Sequence, residues 1–302
     1  MTALPALHGG FDDAELHHVL DQACATVGLD STGARLLRGH TNAVVRLTTA
    51  PVVVKIARRG SKFEDVQRTV SFVRWLMDRG FPTVPLHPVA HQPVDISGHT
   101  VTYWTYLPQP EHSISAAQIA KPLLSLHSLP VPPFALPHLD NLGAIRASIR
   151  KITALPETTK QFLSERADHL EEALTAVEYV LPRAVVQGDP QHRNALFDGA
   201  GEPVLCDWDT VAVGQPEWDL TTLEIHCRRF GYGHRHYADF ATAYGFDVTR
   251  WPGYPVLAGL RELRMITTNA RKIHHAPASR AEIEQRIEGL RREDTSLAWN
   301  IL

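Results

Sequence analysis

Cysteine is scarce: Cys24, Cys206 and Cys227 are the three in 302 residues. They are scattered and odd in number, which excludes a disulfide framework and gives no zinc-ligand spacing. Cys206 sits in an apolar run, where a small buried residue is expected rather than a redox nucleophile. An excess of one charge sign is missing too, since 30 Lys and Arg face 33 Asp and Glu, for a net charge of −3. With no dense Lys/Arg tract either, nothing marks a nucleic-acid binder. No apolar run reaches transmembrane length. The stretch Ala3-Leu4-Pro5-Ala6-Leu7 lacks the basic head and sustained apolar segment of an export signal. Internal repeats and blocks of like charge are likewise absent. These absences predict a cytoplasmic protein with no membrane, nucleic-acid or obligate protein partner.

What is present is a chain of 33.6 kDa with 44% hydrophobic residues, enough for one large domain or two lobes with substantial cores. Seventeen histidines make its charge sensitive to pH.

Its most informative stretch is Val185 to Asp209, VVQGDPQHRNALFDGAGEPVLCDWD. The apolar runs Ala195–Phe197 and Pro203–Cys206 flank Asp198-Gly199-Ala200-Gly201, the pattern of a short hairpin. Asp189 and Asn194 precede the hairpin, and Asp207 and Asp209 follow it. Three carboxylates and a carboxamide gathered by a local fold suit a hard divalent cation, and phosphate-bound Mg²⁺ needs only one or two protein carboxylates. The bland alternative is that Asp, Asn and Gly are simply turn formers here. Against it, Asp207 and Asp209 alternate along a strand end, and enclosed neighbouring carboxylates require a cation or strong hydrogen bonds.

This pattern resembles the active-site signature of the aminoglycoside phosphotransferase family, a branch of the protein-kinase-like superfamily: His-Gly-Asp, four residues, Asn, then a hairpin leading to Asp-x-Asp. Gly188, Asp189, Asn194, Asp207 and Asp209 match, while Gln187 stands where histidine is usual. Glutamine cannot reproduce the charge change of a histidine, so Gln187 is not expected to do acid–base work. The resemblance implies that Asp189 is the catalytic aspartate that orients or deprotonates the substrate hydroxyl. It also implies that Asn194 and Asp207 hold Mg²⁺, with Asp209 assisting directly or through water.

In chain order, residues 12–29 carry an amphipathic helical pattern, and short strands follow at Ala34–Leu37, Ala43–Leu47 and Val52–Ile56. Gly39-His40-Thr41-Asn42 resembles the family's nucleotide-covering turn, or is an ordinary hairpin turn. Lys55, inside Pro51-Val52-Val53-Val54-Lys55-Ile56-Ala57, could be an edge-strand charge reaching solvent. In a kinase-like arrangement it contacts the nucleotide phosphates. The helix over 63–79 has Thr69 where the resemblance puts the lysine's glutamate partner, which leaves Asp65, one turn earlier, as the substitute. Val101–Leu107 reads as an aromatic-rich strand ending in the hinge. Backbone groups of Thr105, Tyr106 and Leu107 are expected to meet adenine, although aromatic residues also favour strands and cores.

Residues 115–128 read as a helix that Pro122 starts, breaks or kinks. Helices are expected over 140–155 and 159–180, with Lys121 and His127 needing no catalytic role. Beyond Asp209 the chain turns mainly helical. Asp219 is expected to brace the catalytic loop, Tyr232 to His236 to form a loop, and 237–244, 256–274 and 279–292 to be helices, with Arg261, Glu262 and Arg264 off the apolar stripe of the second of these.

The predicted fold is α+β and bilobal, protein-kinase-like, with a small sheet-containing lobe over 1–107 and a larger, mostly helical lobe over 108–302. The implied activity is transfer of phosphate from ATP, or GTP, with Mg²⁺, to a hydroxyl of an aminoglycoside, sugar or amino alcohol. The alternative is a catalytically weak kinase-like nucleotide-binding or regulatory protein, motivated by Gln187 and the missing glutamate.

Overall fold

The computed structural model describes residues 11–39 and 42–302. The chain is bilobal and α+β, and forms two compact units. One comprises Met1–His112 with Leu196–Asp209, the other Ser113–Ala195 with Thr210–Leu302. A division at 107/108 would put 196–209 with the second unit, whereas these residues pack with the first.

In the first unit, α1 (Asp13–Thr26) precedes β1 (Arg35–Gly39), β2 (Asn42–Arg46) and β3 (Val52–Ala57). Then come α2 (Phe63–Met77), β4 (Val94–Ile96) and β5 (His99–Thr105). The five strands form an antiparallel sheet in the order β1-β2-β3-β5-β4. Asp12 caps α1 by accepting the Ala14 N–H at 2.8 Å. The helix buries Leu16, Val19, Leu20 and Ala23 against Val45, Val54, Ile56 and Tyr103. Because strand side chains alternate, burial of Val54 and Ile56 on this face turns Lys55 to the other. His40 and Thr41, the centre of the expected nucleotide-covering turn, lie outside the described residues.

A hairpin of β7 (Ala195–Phe197) and β8 (Pro203–Leu205) returns to this unit. Asp198 Oδ1 closes its turn by accepting the N–H groups of Ala200 and Glu202 at 2.8 and 2.9 Å. Leu205 fastens β8 to the loop after α2, donating to Pro82 O and accepting from Val84 N–H, both at 3.0 Å.

The second unit holds α3 (Ala116–His127), α4 (Asn141–Arg150), α5 (Glu157–Leu174), β6 (Ala184–Val186) and β9 (Ala212–Gly214). It continues with α6 (Pro216–Arg229), α7 (His234–Tyr244), α8 (Tyr254–Ala270) and α9 (Arg280–Arg291). Its core joins Ile145, Leu163, Trp218, Leu263, Ile266 and Ile283. Helix α3 runs through Pro122 instead of breaking there. A capping box of Ser115 and Gln118 fixes its start, and burial of Ile119, Leu123 and Leu126 offsets the proline penalty. The expected loop at Tyr232 to His236 is also shorter than the sequence suggests. Helix α7 already begins at His234, behind Gly233 at φ +88° with no side-chain cap to announce it.

Candidate active site

Two groups of functional side chains are assembled, one in each unit. The first is built on Lys55 and the residues after β8. Trp208 is fully buried, donates its indole N–H to Thr83 Oγ1 at 2.9 Å, and packs edge-on against Phe72 and Phe81. Sinking this tryptophan leaves the acids on either side of it at the surface of the unit. Asp207 takes the left-handed conformation at φ +59°, uncommon for a residue with a Cβ. Its Oδ1 accepts from Lys55 Nζ at 2.9 Å, and Asp209 Oδ2 accepts from the same ammonium at 2.8 Å. Asn42 adds a hydrogen bond to Asp209 Oδ2 at 3.0 Å.

Burial by itself would lower the Lys55 pKa, but attraction to Asp207 and Asp209 outweighs it and holds the ammonium charged. Lys55 in turn keeps the Asp207 carboxyl below its ordinary range, against a burial effect of opposite sign. The Cys206 thiol beside it is pushed up to about 12 by burial, which suits an inert structural residue.

Asp65 does not join this group. It is exposed in the first turn of α2 and pairs with Arg68 at 3.0 Å, so the partners of Lys55 are the two acids after the hairpin. The expected adenine-binding backbone is partly committed. Thr105 donates its N–H to Pro85 O at 2.9 Å and Tyr106 to Pro51 O at 2.8 Å. The Tyr106 ring is covered by Arg46, whose guanidinium carbon lies 3.9 Å from the ring centroid. Among the described residues the Leu107 N–H makes no hydrogen bond, so it is the donor of this segment that remains for a ligand.

The second group follows β6, which pairs antiparallel with β9 and delivers Gln187, Gly188 and Asp189. Gly188 has φ +84°, and a Cβ there would lie 2.5 Å from Thr210 O, so the turn admits only glycine. Asp219, fully buried near the start of α6, accepts Gln187 N–H at 2.7 Å and Gly188 N–H at 2.9 Å, the bracing role expected of it. His127 also reaches Asp219 Oδ2, at 3.1 Å, while its other ring nitrogen lies 2.7 Å from the Tyr244 hydroxyl. The helical spacing of α3 gives His127 no catalytic role, and no local signal ties it to an acid 92 positions later. Trp218 completes the support by donating its indole N–H to Gly188 O at 2.9 Å.

Gln187 is fully buried and accepts Asp189 N–H on its side-chain oxygen at 2.6 Å, a positioning contact that needs no titration. Asp189 Oδ2 accepts from Gln191 at 2.9 Å and from Asn194 Nδ2 at 3.3 Å. Asn194 Nδ2 also donates to Asp189 O at 2.9 Å, which turns the amide nitrogen toward Asp189 and leaves the carboxamide oxygen as the acceptor of this side chain. Asp189 Oδ1 is ion-paired with Arg261 of α8, a partner that sequence reasoning did not find.

Beside this loop, His192 stacks on Tyr232 with ring centroids 3.9 Å apart and bonds His236, Nε2 to Nε2, at 2.8 Å. His236 Nε2 also accepts Ala116 N–H, so His192 is the donor of the pair. Burial, then His236, presses the His192 pKa down to about 4. Cys227 lies close by, with possible ligand atoms of the three residues within 4.8 Å of one another. The direct bond between nitrogens is shorter than the roughly 3.3 Å that two imidazoles take on a tetrahedral zinc, so the cluster is held by hydrogen bonding.

A bilobal fold with a strand lysine on an Asp-x-Asp pair, and a braced Gly-Asp turn followed by Asn194, defines a kinase-like phosphotransferase. The model of the phosphotransferase enzyme family matches residues 32–260, well over half of the chain, and the chain belongs to that family. It is thus a phosphotransferase that acts on a hydroxyl group of a small molecule. No curated protein sequence matches it. Among solved structures, a choline kinase from Streptococcus pneumoniae is similar with a TM-score of 0.66 at 16% identity, covering 91% of this chain and 99% of its own. An amicoumacin kinase solved with AMP-PNP and Ca²⁺ gives 0.69 at 14% identity, covering 94% and 95%. A spectinomycin phosphotransferase in complex with ADP and spectinomycin gives 0.63 at 15%, covering 89% and 92%. At such identities the likeness is one of fold. Among the described residues no helix is long and apolar enough to cross a membrane.

Proposed function

We propose that Lys55 binds the donor phosphates of ATP, that Asp207, Asp209 and Asn194 supply oxygen ligands to Mg²⁺, and that Asp189 orients the acceptor hydroxyl and takes its proton. GTP remains the alternative donor. The observation that carries this reading is the convergence of Lys55 with Asp207 and Asp209 at 2.9 and 2.8 Å across about 150 residues of sequence. The donor set fits the ion, because Lys55 holds the Asp207 carboxyl below its ordinary range, the donors are hard oxygens, and both acids already hold a cation, the lysine's own.

Bound Mg²⁺ would neutralise charge on the phosphates. The residues of the chain do the rest. Lys55 carries a charge that burial does not remove, so it remains a donor to phosphate oxygens at neutral pH. Leu107 offers its free N–H to the base, and Thr105 and Tyr106 shape the segment that presents it. Asp189 accepts a hydrogen bond from the acceptor hydroxyl and takes its proton as transfer proceeds. Gln191 and Asn194 fix the direction in which its carboxylate points, Gln187 holds its backbone N–H, and Asp219 holds the turn beneath it. Positioning of this kind, together with charge stabilisation, dominates phosphoryl transfer.

The acceptor belongs to the broad set of hydroxylated small molecules, within which aminoglycosides, sugars and amino alcohols differ mainly in charge. The test is a transfer assay with radiolabelled ATP, with and without Mg²⁺, across acceptors of each kind. Mg²⁺-dependent labelling of an acceptor supports the reading. Nucleotide binding without labelling of any acceptor would favour a regulatory binding protein instead.

A further inference from the structure

Buried guanidinium groups are neutralised almost everywhere in the second unit. Arg229 pairs with Glu262 at 2.7 Å, Arg228 with Glu224 and Glu262 at 3.0 Å, and Arg286 with Glu282 at 2.7 Å. This follows from the cost of leaving a charge in low dielectric without a partner.

The face of α8 beside Asp189 breaks the rule. Arg261 and Arg264 of α8 and Arg271, the residue just after it, recur at intervals of three and seven, which places them in a row along one side of the helix. Arg261 shares the Asp189 carboxylate, and its remaining contact is to His226 Nε2 at 3.3 Å. Burial, followed by the Arg261 charge, drives the His226 pKa well below its ordinary value, so that ring is a neutral acceptor. Arg261 Nε is buried with no hydrogen-bond partner.

Arg264 has no carboxylate within ion-pair distance among the described residues. It bonds the side-chain oxygen of Asn141 and lies over Trp218, 5.5 Å from the ring centroid. Burial, then repulsion from Arg261, presses its pKa down to about 10, and the attraction of Asp189 and Asp140 does not restore it. The Asp140 carboxylate is itself spent on the α4 cap, accepting Gly143 N–H at 2.8 Å. Arg271, half-buried, makes no side-chain hydrogen bond or ion pair among the described residues, and burial lowers its pKa as well. Arg261 and Arg264 thus have one carboxylate between them, at the very residue read as the acceptor's base, and Arg271 continues the row close enough to repel Arg264.

We propose that the missing negative charge arrives with the acceptor: it is a hydroxylated acid, bearing a carboxylate or a phosphate group, held by Arg264 and Arg271. This rests on the reading of Asp189 as the acceptor-facing base and narrows the acceptor class. Forked N–H groups of arginine match the oxygens of either anion. Arg261 stays on Asp189 and positions it. A polycationic acceptor meets the like charges of Arg264 and Arg271 instead, which selects against the aminoglycoside class.

The test is calorimetric titration of the protein with its nucleotide site first filled by Mg²⁺ and AMP-PNP. The probes are gluconate and glycerate, glucose 6-phosphate and glycerol 3-phosphate, their neutral counterparts glucose, sorbitol and glycerol, and the cations choline and spectinomycin. At least one acid is expected to bind about tenfold or more tightly than its neutral counterpart, as one or two charge-assisted hydrogen bonds allow. Carboxylates and phosphates in the panel separate the two forms of the anion. Arg264→Gln and Arg271→Gln should each lose that preference, and Arg264→Lys should recover part of it by restoring charge without the fork. Equal or tighter binding of the neutral or cationic probes overturns the proposal, as does an acid preference that survives both glutamine variants. If a variant fails to fold, the wild-type panel still decides the sign of the preferred charge. The same probes are then given to the wild-type enzyme with Mg²⁺ and ATP. Acid binding without any transfer would leave the arginine site standing and remove the base assignment of Asp189. Transfer to choline or spectinomycin and to no acid would do the reverse.

Discussion

The two functional groups solve opposite electrostatic problems. Around Lys55 the directly bonded groups are one ammonium and two carboxylates, and their surplus is negative; around Asp189 the carboxylate is paired with Arg261 while Arg264 has no carboxylate of its own among the described residues, and the surplus is positive. Each surplus names what its surroundings lack. The first is suited to a divalent cation, which would leave Lys55 free to pair with phosphate. The second is suited to an anion. The supports differ as well. Asp207 and Asp209 are placed by one buried tryptophan between them, whereas Asp189 is placed by backbone N–H groups of its turn donating to the buried Asp219 and Gln187 side chains.

The largest effect is expected where the comparison is broken at its negative member. Asp189→Asn keeps the size of the side chain but loses the proton-accepting charge, and turnover should fall roughly 10²–10⁴-fold with nucleotide affinity kept. Rapid-quench kinetics should place that loss in the chemical step. Removing the support beneath it comes next. Asp219→Ala takes the acceptor from two buried backbone N–H groups and from His127, and at about 1–3 kcal/mol for each buried donor left unsatisfied should lower stability by roughly 2–6 kcal/mol in urea unfolding.

On the other side, Lys55→Ala removes the phosphate donor and leaves two carboxylates without their cation. A drop of about ten- to a hundredfold in kcat/KM for ATP follows from the loss of a charge-assisted contact. Asp207→Asn should act more through the metal: turnover should fall most at limiting Mg²⁺ and recover in part when Mg²⁺ is raised, which a steady-state Mg²⁺ titration will read.

The smallest effect concerns acid stability. The unfolded chain protonates His192 near its ordinary value of 6.5, while the folded chain resists down to about 4. The unfolded state therefore binds more protons across that window. The contribution is complete above pH 6.5 and is lost as pH falls toward 4. His236 and His226 are shifted in the same direction. His192→Gln should flatten the fall in unfolding free energy between pH 6.5 and 5, compared with the wild type in urea titrations at each pH.

The sequence disclosed whatever was contiguous. Asp189, Asn194, Asp207 and Asp209 fall within 21 positions and carry turn and hairpin chemistry that can be read locally. Lys55 stood out because a charge inside a β-branched run needs a reason. The lysine's partners did not emerge, because the search for an acid looked to the next helix while the acids come from a hairpin about 150 residues later. Arg261 was missed for the same cause: its meeting with Asp189 spans 72 positions, and on α8 it reads as a solvated face. The helix through Pro122 shows the converse, a strong local rule overridden by a capping box and a buried stripe.

The most direct test of the account is a crystal structure with Mg²⁺ and a nonhydrolysable ATP analogue. The expected result is that Lys55 Nζ exchanges at least one carboxylate for a phosphate oxygen while Asp207 and Asn194 ligate the metal. Lys55 still bound to both acids, with the phosphates held elsewhere, would contradict it.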